Sequence, residues 1–161
     1  MLTRFAGALV ILAACTPSAK SSDTDLAAAS SADSAFKAMD HRHGDVVGAD
    51  PSSLAHHFVS TASGGDVILD RKAGDTLTIT QIRTHLDEIA KAFSTGDFST
   101  PMMIHEKAAD GADVMTRKAS VIKYEVESTA DGGTLHITTS DPEALAAIHR
   151  FIAFQVREHR T

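Results

Sequence analysis

Nine histidines stand in a chain of 161 residues that has one cysteine, one tyrosine and no tryptophan. A neutral imidazole binds transition metals and titrates near neutral pH, so this excess is the first chemistry the sequence offers. Cys15 is the second. It follows Leu12-Ala13-Ala14, at the end of an apolar run that begins at Phe5 behind a single positive charge, Arg4. A charged start, a short apolar stretch and small residues before a cut make a secretory signal. The run is too short to cross a bilayer core of about 30 Å as a helix.

Leu12-Ala13-Ala14-Cys15 resembles the bacterial lipobox. That resemblance implies a signal peptide over 1–14, cleavage before Cys15 and a lipid with its acyl chains (palmitate among them) on the Cys15 sulfur. The expected location is the cell envelope, lipid-anchored. Thr16 follows the cysteine in place of Asp, which favours the outer membrane facing the periplasm in a Gram-negative cell. With its one thiol lipidated, the mature chain has no disulfide and must rely on a packed core. Any metal ligands are then His, Met or carboxylate.

The formal net charge is −6, and Arg4 is the only charged residue of the signal, so the mature chain is one unit more negative. An acidic chain is a poor partner for nucleic acid, and membrane attachment falls to the lipid instead of a basic patch. Residues 15–52 begin as a Ser/Ala/Asp-rich tether. A helical pattern over 26–39 uses Leu26, Ala29, Phe36 and Met39, and 40–51 has the breakers of a loop.

The histidines need elements to aim them, and from residue 53 to 161 the chain repeats itself. Ser60-Thr61-Ala62-Ser63-Gly64-Gly65 matches Ser128-Thr129-Ala130-Asp131-Gly132-Gly133 at an offset of 68. Each Gly-Gly lies between short alternating runs and reads as a hairpin turn. The first repeat is then strand 54–61, strand 66–72 and helix 79–94. The second is strand 120–128, strand 134–139 and helix 142–158, which Asp141 and Pro142 open as N-cap and first turn. The expected fold is α+β: a duplicated ββα unit forming a four-stranded antiparallel sheet, two helices on one face, related by a pseudo-twofold. The connector 95–119 carries Met102-Met103-Ile104.

Strand alternation turns Ile122, Tyr124 and Val126 to the core, and the offset carries Tyr124 onto His56. His57 and His136 should face out. On the first helix His85 lies in the stripe of Ile82, Leu86, Ile89 and Phe93. On the second, His149 lies between Leu145 and Ile152, and we expect it to match His85 at an offset of 64. His56, His85 and His149 should therefore converge, with His105 closing over them. A buried imidazole needs partners for its nitrogens. Three or four imidazoles suit zinc or copper, whereas an opposed pair, His85 and His149, would suit haem iron. Met39 with His41 and His43, and Met102-Met103 with His105, resemble thioether–imidazole sites for Cu(I). As core fillers and loop residues they would be inert. No nucleophile elbow, phosphate loop or paired-histidine zinc-protease helix is present.

The stretch from His56 to His159 resembles a group of uncharacterised bacterial exported proteins, through His56-His57-Phe58, Ile82-Arg83-Thr84-His85-Leu86, Gly96-Asp97-Phe98, Pro101-Met102-Met103-Ile104-His105, Ala147-Ile148-His149-Arg150-Phe151 and Phe154-Gln155. Some members carry the label aspartate carbamoyltransferase. This chain is too short for that enzyme and shows no carbamoyl-phosphate site, so the resemblance implies no activity. The expectation is a lipid-anchored protein that is not an enzyme and binds copper or zinc through His56, His85, His105 and His149. The alternatives are haem binding, a protein-interaction module with structural histidines, and a metal-dependent hydrolase.

Overall fold

The structure is a computed structural model that describes residues 22–72 and 76–161. The signal peptide and Cys15 lie outside the described residues. The order is α1 (Ser22–Val47), β1 (Leu54–Thr61), β2 (Gly64–Arg71), α2 (Thr76–Ser94), α3 (Ser99–His105), α4 (Ala112–Arg117), β3 (Ile122–Ser128), β4 (Gly132–Thr139) and α5 (Pro142–His159), with single 3-10 turns before β1 and β3. The fold is α+β, with a four-stranded antiparallel sheet in the order β1-β2-β4-β3. No described helix is long and apolar enough to cross a membrane.

The two hairpins, β1-β2 and β3-β4, pair in similar register. Leu54 pairs with Arg71 and Ile122 with Thr139; Thr61 faces Gly64, and Ser128 faces Gly133. In the centre Val67 faces Leu135, with Gly64 opposite Thr138 and Asp70 opposite Gly132. The Gly-Gly pairs are not the turns. They open β2 and β4, and the chain reverses one step earlier, at Ala62-Ser63 and Ala130-Asp131. Close approach of the central strands is the reason. A Cβ on Gly64 would land on the Ile137 carbonyl oxygen, and one on Gly132 on that of Leu69.

α2 packs over β3 and β4, and α5 over β1 and β2. Val67, Leu69, Leu135 and Ile137 from the strands meet Ile82, Leu86, Ile148, Phe151 and Ile152 from the helices in one apolar core. The other sheet face is polar. There His136 sits between Asp66, at 2.8 Å, and Glu127, at 3.2 Å. These carboxylates, Asp66 foremost, raise its pKa.

α1 extends through the stretch expected to be a loop. Met39, His43 and Val47 are buried at a spacing of four, one face of a helix. Gly44 is tolerated within it because a Cβ there would strike the Pro51 ring, and Gly48 ends the helix at φ 76° with its N–H on the Gly44 carbonyl. Arg42 ties α1 to the body by donating to the Ile104 carbonyl at 2.7 Å, and Gln81 of α2 bonds the Gly48 carbonyl.

Candidate metal centre

Five histidines from five elements meet at one end of the core: His43 of α1, His56 of β1, His85 of α2, His105 of α3 and His159 of α5. They surround a cavity of about 50 Å³. One nitrogen of each of His43, His56 and His159 lies within 4.8 Å of the other two, close enough for the three to hold one ion. The ring centroids stand 4.2 Å apart for His43–His56, 4.9 Å for His56–His159 and 5.3 Å for His43–His159. Imidazoles that share a tetrahedral zinc at about 2.0–2.1 Å per bond have centroids roughly 5 Å apart. His85 lies 5.6 Å from His43 and His105 lies 5.1 Å from His159, so the other two rings border the trio.

Burial sets the charge state. It pushes His56 and His85 each down to about 4 and His159 to about 2, with neighbouring histidines adding repulsion to His56 and His159. Burial, then the four neighbouring rings, holds His43 well below its ordinary value. His105 is also lowered by burial, against the opposing pull of Gln155 and Glu158. All five are neutral at pH 7, the form that carries a lone pair for a metal.

Hydrogen bonding separates these nitrogens into two kinds. His105 Nε2 donates to Gln155 Oε1 at 3.0 Å, which leaves its Nδ1 as a bare acceptor, buried and without a partner. His43 Nδ1 and His56 Nε2 are likewise buried and unpartnered. An unpaired buried polar atom costs about 1–3 kcal/mol, and three around one small cavity are what a bound cation would satisfy.

The sequence placed His56, His85 and His105 here, and the structure brings them together. It does not bring His149. Half-buried on the flank of α5, His149 bonds the Thr61 carbonyl at 2.9 Å, at the end of β1. Arg83 of α2 does the same at the other hairpin, donating to the Thr129 and Gly132 carbonyls. His149 and Arg83 thus make like contacts, each to a threonine carbonyl at a hairpin. The expected offset of 64 rested on a stripe through Leu145 and Val156, which are only half-buried; the deep face of α5 runs through Ala144, Ile148, Phe151, Gln155 and His159. His85 and His149 do not face each other across one cavity, and 50 Å³ is far below the ~300–1,000 Å³ of organic-ligand pockets. The opposed pair expected for haem is therefore not formed at this cavity, which His85 borders and His149 does not.

Sequence reasoning missed His159, which continues the spacing Ile148, Ile152, Gln155, His159 into a last turn whose Arg157, Glu158 and Arg160 read as a polar end. It named His43 only in a Met/His motif. Of that motif Met39 and His43 are buried, and only His43 borders the cavity; His41 is exposed and pairs with Asp45 at 3.1 Å. Met102 and Met103 are exposed, so no thioether from this pair joins the cluster.

Fold and site together define the class: an α+β domain with a largely apolar pocket bordered by five histidines. Compared with known protein families, curated proteins and solved structures, the chain matches none.

Proposed function

We propose that this protein is a lipid-anchored component of the cell envelope that binds one transition-metal ion, copper or zinc, through His43, His56 and His159, with His85 and His105 beside it. The observation that carries the reading is the meeting of three neutral imidazoles within 4.8 Å, His43 and His159 buried and His56 half-buried, with an orphaned nitrogen on His43 and on His56. An all-nitrogen set with no carboxylate lining the cavity suits zinc or copper and not the oxygen-seeking magnesium or calcium. Support for the anchor is the sequence Leu12-Ala13-Ala14-Cys15, which places the lipid a few residues before α1, the helix that contributes His43. The domain itself is a duplicated ββα unit with pseudo-twofold symmetry. The shared hairpin registers and the matched roles of Arg83 and His149 support this.

The test is metal analysis and metal titration of the full chain, purified from membranes in mild detergent. One zinc or copper per chain is expected, with affinity lost in His43→Ala, His56→Ala and His159→Ala variants and kept in His149→Ala. Circular dichroism checks that each variant folds. The absence of stoichiometric metal, or affinity that survives all three substitutions, overturns the reading and leaves the histidines structural.

A further inference from the structure

Three imidazoles leave a four-coordinate ion one ligand short. Two further histidines border the trio, and their nitrogens are treated differently. His105 Nε2 donates to Gln155 Oε1 at 3.0 Å, and both side chains are buried. The other nitrogen of that ring, Nδ1, is buried and has no partner. One N–H held by a fixed acceptor, with the second nitrogen bare, is how a protein prepares a histidine to ligate a metal. The acceptor sets the tautomer, holds the ring and makes the remaining lone pair more basic. His85 has no such acceptor: neither of its nitrogens has a hydrogen bond among the described residues.

Position separates the two rings as well. The trio's own ring centroids are spaced from 4.2 to 5.3 Å. His105 falls inside that range at 5.1 Å from His159, and His85 falls outside it at 5.6 Å from His43. His105 also lies near enough to His43 for charges on the two rings to repel. It is not one of the three whose nitrogens lie within 4.8 Å of one another, so its ring must close in as the ion binds. It ends the short helix α3, and helix ends yield more readily than helix centres.

Resting on the metal reading above, we infer that His105 is the fourth ligand, binding through Nδ1, and that Gln155 is the residue that positions it. This accounts for an amide buried in the apolar face of α5. It also bears on function. Catalytic zinc sites keep one position open for water or substrate, and structural sites are closed. Four imidazoles close this one, so it holds its ion and does no hydrolysis.

The experiment uses the full chain in detergent, with ¹⁵N in its histidines, loaded with ¹¹³Cd as a spin-active substitute for zinc. Each coordinating nitrogen then shows a ¹¹³Cd–¹⁵N coupling. Four coupled histidines are expected, and the coupling at His105 Nδ1 disappears in His105→Ala. Zinc titration gives a second readout. Gln155→Leu should weaken zinc binding about 10–100-fold and remove the His105 coupling. Gln155→Glu, which retains an acceptor, should keep both, and His85→Leu should change neither. Circular dichroism checks that each variant folds. Three coupled histidines, with His105 unmoved, overturn the inference and leave the three-ligand reading standing. A fourth coupling that belongs to His85 overturns it too, and so does full zinc affinity in Gln155→Leu. Failure of the unaltered chain to bind cadmium or zinc sinks the metal reading itself and is read before any variant is made.

Discussion

Without metal, the histidine cluster should make this domain acid-labile in a defined window. His56 and His85 have pKa values near 4 in the fold, His159 near 2, and each returns to about 6.5 on unfolding. The unfolded chain therefore takes up protons first. Stability is full above pH ~6.5, falls as pH drops below it, and keeps falling through about 4, where His56 and His85 can also charge inside the fold. Between roughly pH 7 and pH 5 each such group withdraws about 2 kcal/mol. Because the three rings face one cavity, part of the repulsion is shared, so the combined loss is about 4 kcal/mol rather than a simple total. Domains of this size have about 5–15 kcal/mol in all, so the loss removes a large share of the stability by about pH 5 while the chain stays mostly folded in the absence of denaturant. His136 works the other way, its raised pKa adding stability below its folded pKa and losing it as pH rises through that value, but its exposure to solvent screens the effect. Urea unfolding of the metal-free protein, followed by circular dichroism from about pH 7.5 down to about 5, reads the slope. His56→Phe should flatten it. A stability that changes by less than about 0.5 kcal/mol across that range would refute the claim that these rings are buried and neutral.

Two further outcomes follow from the packing. Gly64→Ala or Gly132→Ala pushes a methyl group into the backbone of the neighbouring central strand. Each should cost about 2–3 kcal/mol or more, seen as a lower urea midpoint, and an unchanged midpoint would show that β2 and β4 are not so close. Zinc should slow amide exchange along α1 from Phe36 to Val47, because His43 would fasten that helix to the body. At about 100 times the dissociation constant the gain is about 2.7 kcal/mol, and metal binding with no added protection there would exclude His43 as a ligand.

The sheet was legible because strands with one wet face alternate, and Ile122, Tyr124 and Val126 against Lys123, Glu125 and Glu127 leave one solution. The helical contribution was harder to read. α2 shows a narrow apolar stripe, so His85 could be placed from spacing alone. α5 is apolar round a wide arc, and choosing Leu145 and Val156 as its centre turned the helix enough to put His149 in and His159 out. α1 was hidden for another reason. Gly44 and Gly48 read as breakers, yet one is required by the Pro51 ring and the other is the helix cap. The three-element meeting of His43, His56 and His159 is a tertiary fact, and no local periodicity encodes it.

Three histidines outside the cluster of five show how this chain treats an imidazole that only supports structure. His149 has the Thr61 carbonyl, His136 has Asp66 and Glu127, and His41 has Asp45. Each is at least partly exposed and each has a partner within 3.2 Å for a ring nitrogen. His43 and His56 are treated otherwise. They are carried into an apolar cavity, crowded to 4.2 Å against each other, and left with a nitrogen unpaired. Desolvation and mutual repulsion both oppose that arrangement. A core that needed only volume there would be better served by apolar rings such as Phe93 and Phe98, which stack at 4.3 Å. Under the proposed function, a shared cation supplies the attraction that the bare cluster lacks.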